Sequence, residues 1–169
     1  MSRNVLIAAL ILPLLALVLG IVRAEQHFAH SKRWTFEVTG YDPRDLLRGH
    51  YIDYRLVLDQ KPGAQSCDED FGERCCLCLS GDASGVVSGV ERTTCENARP
   101  RCAGILQTRY LSELQRYYIP EAKAAQLTQR FQDAASKHHA QLVVAIDAGG
   151  KPQIDALLID GQRIEPGGP

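Results

Sequence analysis

The first apolar stretch of the chain is continuous, and this pattern predicts a membrane helix. No charged residue occurs from Val5 to Val22, and a helix needs about 20 apolar residues to cross a bilayer. Arg3 precedes the run, as in a signal peptide, but the apolar part of a signal peptide is shorter, about 7–15 residues. We therefore expect residues 1–23 to be an uncleaved membrane anchor, with a cleaved signal peptide as the alternative.

Beyond the anchor, apolar and polar residues alternate in a way that predicts strands. Trp34, Phe36 and Val38 alternate with polar side chains, as a strand with one buried face requires. The same alternation follows from His50 to Leu58. Further strands are expected at residues 74–79, 86–94, 104–110, 141–146 and 153–159.

One later segment has helical rather than strand spacing. Small and apolar side chains recur every three or four residues from Ala124 to Ala134, which is typical of an amphipathic helix. Pro120 suits the first position of that helix. Strands, one helix and a C-terminal hairpin predict an α+β fold, in which a transmembrane helix precedes a mainly antiparallel β domain.

The domain boundaries follow from these elements. Residues 24–32 are polar and are predicted to be a juxtamembrane linker. The exported domain is expected over residues 33–163, and residues 164–169, rich in glycine and proline, are expected to be a flexible tail.

Six cysteines lie close together in the middle of the chain, and an even number in an exported domain predicts disulfides. They are Cys67, Cys75, Cys76, Cys78, Cys95 and Cys102. Two pairings have a local basis: Cys95 with Cys102 across a polar turn, and Cys67 with one of the group at 75–78. Because strand residues two apart share a face, Cys76 and Cys78 are expected on the side opposite Cys75.

Composition disfavours several classes of function. The formal net charge is −1, whereas a nucleic-acid-binding domain needs a clustered positive surface. The cysteines lack paired Cys-x-x-Cys spacing and the histidines have no ligand pattern, so neither a metal nor a cofactor is expected. Catalysis is also disfavoured. A hydrolase or ligand-binding enzyme using carboxylates in a cleft, and a thiol-redox or metal-binding protein, remain as alternatives to a non-enzymatic interaction protein.

The densest polar cluster lies in the turn before the second strand. Charges of both signs alternate there, beside tyrosines, and we take this cluster and two residues near the predicted helix as the candidate functional surface. Its members are Asp42, Arg44, Asp45, Arg48, Gly49, Tyr51, Tyr118 and Glu121. The structural alternative is a solvated turn whose charges neutralise one another.

Three runs carry a family resemblance. Residues 41–56, Tyr-Asp-Pro-Arg-Asp-Leu-Leu-Arg-Gly-His-Tyr-Ile-Asp-Tyr-Arg-Leu, resemble the signature of the GDYXXLXY protein family, which has Asp-Pro-Arg-Asp-Leu-Leu-Arg-Gly-Asp-Tyr there. Residues 116–121, Arg-Tyr-Tyr-Ile-Pro-Glu, are similar to the Arg-Tyr-Phe-Val-Pro-Glu that opens the family's helix, and the hairpin ending at residues 158–161 is the third match. The chain departs from the motif at His50, Tyr54 and Leu56, where the family has Asp, Leu and Tyr.

The resemblance implies a setting rather than an activity. It implies a single-pass protein of the bacterial inner membrane with a periplasmic or otherwise extracytoplasmic domain, often found alongside multi-pass membrane proteins. The family has no established activity to carry over. We therefore expect a membrane-tethered accessory or interaction protein that acts beside an integral membrane partner.

Overall fold

The N-terminal part of the chain is a single helix. The computed structural model describes residues 3–40, 51–59, 67 and 74–166, and the chain divides into two units between Ser31 and Lys32. Helix α1 spans Arg3–Ala29, so it continues through most of the segment predicted to be a linker. Its window Ala9–Gln26 is long and apolar enough to cross a membrane, and none of that window is buried.

The second unit has the predicted α+β architecture. Its strands in the described segments are β1 Lys32–Gly40, β2 Tyr51–Leu56, β3 Cys75–Gly81, β4 Val87–Thr94, β5 Gly104–Gln107, β6 Arg116–Tyr118, β7 Ala140–Ile146, β8 Pro152–Ile159 and β9 Gln162–Ile164. Its helices there are α2 Cys95–Ala98, α3 Ala124–Ser136 and the 3-10 helices Thr108–Leu114 and Glu121–Lys123. Strand β9 extends the C-terminal hairpin into the segment predicted to be a tail.

The strands form two antiparallel sheets. The larger has the order β6-β2-β1-β7-β8-β9 and the smaller the order β4-β3-β5. Strand β1 buries Trp34, Phe36 and Val38 on one face, as its alternation predicts. Helix α3 adds Leu127 and Phe131 to the same core. Burial of this apolar face therefore accounts for both the strand and the helix.

The turn between β3 and β4 connects the two sheets. The Asp82 carboxylate accepts hydrogen bonds from the Ser84 hydroxyl at 2.6 Å and from the Val86 amide at 3.1 Å. The Ser84 hydroxyl and the amides that bond this carboxylate lower the pKa of Asp82. The turn places Gly85, at φ +85°, against β1, where its carbonyl accepts from the Thr35 amide at 2.9 Å.

The turn between β7 and β8 makes the reciprocal connection to the smaller sheet. The Gln107 amide of β5 donates to the Gly150 carbonyl at 3.0 Å, and the Gln107 side chain donates to the Gly149 carbonyl at 2.6 Å. Each sheet is thus hydrogen-bonded to a turn of the other.

The larger sheet curls so that its two end strands approach each other. Tyr117 lies on β6 and is buried, and its hydroxyl donates to the carbonyl of Ile164 on β9 at 2.6 Å. Because β6 and β9 are the first and last strands of the sheet order, one side chain connects its opposite ends.

Three disulfides attach the surrounding chain to β3. They join Cys67 to Cys75, Cys76 to Cys95 and Cys78 to Cys102. The expected bond from Cys67 back to the group at 75–78 is confirmed. The expected bond between Cys95 and Cys102 is wrong.

The reason for the wrong pairing is that the segment after Thr94, whose composition is typical of a turn, begins with a short helix. The Thr94 hydroxyl accepts from the Asn97 amide at 3.4 Å and caps α2. Cys95 therefore opens a helical turn packed on β3 rather than one arm of a hairpin loop. Together with Cys76, Ala98 and Ile105 it forms a small second core.

Strand β5 is shorter than predicted. It ends at Gln107 instead of residue 110, and a 3-10 helix follows from Thr108 to Leu114. The Thr108 hydroxyl donates to the Cys75 carbonyl at 3.0 Å. Leu111 and Leu114, three residues apart, both pack against the main core, which suits a 3-10 helix, since it repeats every three residues.

Two buried tyrosines give opposite predictions on removal of the hydroxyl. The Tyr54 hydroxyl is buried and has no hydrogen-bond partner among the described residues, so Tyr54→Phe is expected to leave stability at pH 7 unchanged or to raise it. Tyr117→Phe removes the bond to Ile164 and is expected to cost about 1 kcal/mol. Urea unfolding of the two variants in detergent at pH 7 measures both, and an equal loss in the two would contradict the prediction.

The same tyrosines predict alkaline sensitivity. Burial raises the pKa of both Tyr54 and Tyr117. Their contribution to stability is therefore complete below the unfolded value of about 10 and is lost as the pH rises above it, because the unfolded chain releases these protons first. Each variant is expected to flatten the fall of unfolding free energy between about pH 9.5 and 11.

Candidate functional site

Three of the eight predicted surface residues lie in the part of the chain that the structure describes. Tyr51 begins β2, Tyr118 ends β6, and Glu121 opens the following 3-10 helix. The other five, Asp42, Arg44, Asp45, Arg48 and Gly49, lie outside the described residues.

The structure brings Tyr51 and Tyr118 together as a direct cross-strand pair. They occupy partner positions in the antiparallel register of β2 and β6, and their ring centroids are 6.2 Å apart. Tyr118 is 54% exposed, one of the largest apolar exposures outside α1. The exposed Tyr118 ring, this close to the half-buried Tyr51 ring, supplies an apolar surface for contact.

Arg116 completes this surface and is one of two residues that the sequence-based candidates omit. Its guanidinium carbon lies 5.2 Å from the centre of the Tyr51 ring, and its Nε is 3.8 Å from the Asp53 carboxylate. Asp53 is the partner of Arg116 in the register. We call Tyr51, Asp53, Arg116 and Tyr118 the β2–β6 face.

A signal for the two omitted residues exists in the sequence. Asp53 alternates with the buried Ile52 and Tyr54, and Arg116 and Tyr118 flank the buried Tyr117. Strand alternation therefore assigns Asp53 to the face of Tyr51, and Arg116 to that of Tyr118. The pairing of the two strands is a long-range contact that alternation does not contain.

A second polar cluster lies at a β-bulge. The pairing of β7 with β8 shifts register at Val143 and Val144, which leaves Asp155 as the extra residue. Its carboxylate, only 7% exposed, lies 3.0 Å from Arg33 Nε and 3.1 Å from a terminal nitrogen of Arg163.

This second cluster connects strands rather than forming an open site. Arg33 is on β1, Asp155 on β8 and Arg163 on β9, so the ion pairs span the sheet. Hydrogen bonds from Arg163 to Glu165 and to Asp155 raise the pKa of Arg163. A buried carboxylate paired with two guanidinium groups is electrostatically satisfied.

The described residues show no geometry for metal binding. No group of three or more His, Cys, Asp or Glu among them could hold an ion. His138 lies 2.6 Å from Glu37 and His139 lies 3.4 Å from Asp160, each as an exposed pair at the end of α3. The β2–β6 face, with its two aromatic rings and one guanidinium, is therefore the site whose chemistry suits recognition of another molecule.

Comparison with known proteins gives one family. A family model described as GDYXXLXY protein matches residues 13–157. No curated protein and no solved structure gives a significant match.

Proposed function

The chain belongs to the GDYXXLXY family, and from this membership and the fold we propose that it is a membrane-tethered accessory protein of the bacterial cell envelope. It binds an integral membrane protein through the β2–β6 face. Helix α1 is its single-pass anchor in the inner membrane, and the β domain lies in the periplasm.

The disulfides support an extracytoplasmic β domain. All six cysteines are paired, and such bonds persist in oxidising compartments and are rare in the cytoplasm. The bonds also attach the surrounding chain to β3 of the smaller sheet.

The anchor supports a membrane setting for the partner. The window Ala9–Gln26 has the length of a membrane span. Tethering confines the protein to the bilayer plane, so a weak contact with another membrane protein gains from a high effective concentration.

The single observation that carries the proposed contact is an exposed tyrosine, Tyr118, that lies beside the half-buried Tyr51 and the exposed Arg116. Tyr118 is 54% exposed and Arg116 is 48% exposed. Tyrosine and arginine dominate the binding energy of protein interfaces, because both bury much apolar area while keeping directed hydrogen bonds. Substituting Arg116 and Tyr118 is therefore expected to weaken capture of the partner.

Crosslinking and pull-down from native membranes tests this proposal. The full-length chain carrying Arg116→Ala and Tyr118→Ala is expected to recover the partner about tenfold less than the wild type. The matched control is Arg109→Ala with Tyr110→Ala, because Arg109 also stacks on a tyrosine, at 4.6 Å from the ring centre. The control is expected to recover the partner at the wild-type level.

Two outcomes would contradict the proposed surface. One is equal recovery by the β2–β6 variant and the control. The other is a β2–β6 variant that is less stable than the wild type but recovers the partner equally well when equal amounts of folded protein are compared. The face would then serve stability alone.

A further inference from the structure

Among the described residues, four strands end the two sheets, and three of these strands are protected. On β4 the Val90 amide donates to the Asp59 carbonyl at 2.9 Å. On β5 the Gln107 amide is bonded to the turn at Gly150. Strand edges without such cover pair readily with further strands, so their protection is usual.

Strand β9 is protected by charge. Ile159 and Gln162 flank the two-residue turn that joins β8 to β9, and Leu158 of β8 pairs with Arg163 of β9. By the alternation of an antiparallel ladder, Arg163 alone directs its backbone groups outward. Self-pairing there would place two guanidinium groups directly opposite each other, which is unfavourable.

Strand β6 is different, because two of its three residues direct their backbone groups away from the sheet. The Tyr54 amide donates to the Gln115 carbonyl at 3.2 Å, so residues 115 and 117 face β2. Alternation then directs the N–H and C=O of Arg116 and Tyr118 outward. No described strand is hydrogen-bonded to that side of β6.

The hydrogen-bonding pattern of this edge is complementary to itself. An antiparallel pair of β6 strands related by a two-fold axis at Tyr117 sets Arg116 opposite Tyr118 of the second copy, and the reverse. Both outward residues then exchange N–H···O=C bonds in both directions, so the axis generates four backbone hydrogen bonds.

The side chains of the β2–β6 face are complementary in the same register. In the dimer, each row of side chains crosses β2 and β6 of one copy and then β6 and β2 of the other. Because Asp53 pairs with Arg116 and Tyr51 with Tyr118, each row contains Asp53 and Arg116 of one copy, followed by Tyr118 and Tyr51 of the other. Each guanidinium lies between a carboxylate and an aromatic ring, and no like charges are directly opposed.

The geometry points to β6 as the edge on which a second copy of this chain adds its own β6, giving a two-fold dimer with one continuous sheet. Four backbone bonds and two side-chain rows make a small interface, so the association depends on confinement of both copies to one membrane. This inference rests on the proposed membrane anchor but not on the proposed partner, because it uses the strand edge rather than an unrelated protein.

The test compares two substitutions at one position. Tyr118→Ala removes the ring and keeps the outward N–H, whereas Tyr118→Pro removes both. Proline is tolerated on an edge strand whose N–H faces outward, and the preceding Tyr117 is in a strand, as a residue before proline requires. Full-length protein labelled with donor or acceptor dyes is reconstituted in phospholipid vesicles, and energy transfer is measured against protein density.

Energy transfer in the wild type is expected to exceed that of a membrane-anchored protein that does not associate, and to rise with the density of protein in the vesicles. Tyr118→Ala is expected to weaken association by a few-fold and Tyr118→Pro by about tenfold more, since two of the four bonds are lost. Wild-type transfer at the non-associating level, or equal transfer in the two variants, overturns the dimer.

A photoreactive benzophenone amino acid in place of Tyr118 gives a result that does not depend on the proline variant folding. It is expected to crosslink to a peptide of the second copy containing Arg116, and the same amino acid in place of Tyr110 is expected not to. Crosslinks only to a different membrane protein overturn the dimer while supporting the proposed function, which separates the two proposals.

Discussion

Replacing Trp34 by alanine is expected to lower the free energy of unfolding by about 3–5 kcal/mol, the range for removing a buried aromatic side chain. The indole is 1% exposed and lies between the two sheets. An ideal Cβ on Gly104 of β5 would lie 2.4 Å from its Cζ2, and one on Gly81 of β3 would lie 3.0 Å from its Cζ3. Trp34 is therefore a large buried residue through which the two sheets pack.

The absence of a side chain at residue 104 is part of the same packing. Because a methyl group there would overlap an indole ring that is itself buried in the core, Gly104→Ala is expected to cost about 1–3 kcal/mol or more. In a protein that also carries Trp34→Phe, which leaves a smaller ring, Gly104→Ala is expected to lower the free energy of unfolding by less. Denaturant unfolding of the wild type, the two single variants and the double variant in detergent measures this coupling energy directly.

Val86→Ala is the control for the tryptophan, since Val86 is apolar but 41% exposed, and it is expected to change stability by less than about 0.5 kcal/mol. Additive effects of Gly104→Ala and Trp34→Phe would show that the indole does not limit the space at Gly104.

The elements that the sequence predicts well are those whose burial is one-sided. Trp34, Phe36 and Val38 alternate because the sheet has one core face, and Leu127 and Phe131 recur because α3 covers that face. These local patterns record which side of each element is buried, so element type and fold class follow from them. They do not record which strand is the neighbour.

The disulfide pairing shows what local patterns lack. The prediction that Cys76 and Cys78 share a face is sound because side chains alternate along β3. Their partners, Cys95 and Cys102, are set by the helical turn that Thr94 caps, and turn-forming composition between the two cysteines predicts a loop equally well. A pairing across strands depends on this three-dimensional placement.

The candidate surface is a similar case. Tyr51 and Tyr118 lie in separate segments of the sequence, and only the register of β2 with β6 makes them neighbours. Asp53 and Arg116 join them through the same register. Alternation can assign each residue to a face of its own strand, whereas only the long-range strand pairing brings the two faces together.

Removing the disulfide between Cys76 and Cys95 is expected to lower stability by about 3 kcal/mol from chain entropy alone. The two residues are 19 apart in sequence, and the bond restricts the unfolded chain over that loop. Cys76 is 0% exposed and Cys95 is 9% exposed, in the small core with Ala98 and Ile105. The variant Cys76→Ala with Cys95→Ala therefore also loses packing, so its total loss should exceed the entropic part.

The disulfide between Cys78 and Cys102 is the matched control. It closes a loop of similar length, with a separation of 24, so its entropic contribution is nearly the same. Cys78 and Cys102 are only half-buried, so Cys78→Ala with Cys102→Ala is expected to cost less, and mild reductant is expected to open this bond first because access governs thiol exchange. Equal losses in the two double variants, measured by denaturant unfolding in detergent, would show that the small core around Cys76 adds nothing beyond the constraint on the unfolded chain.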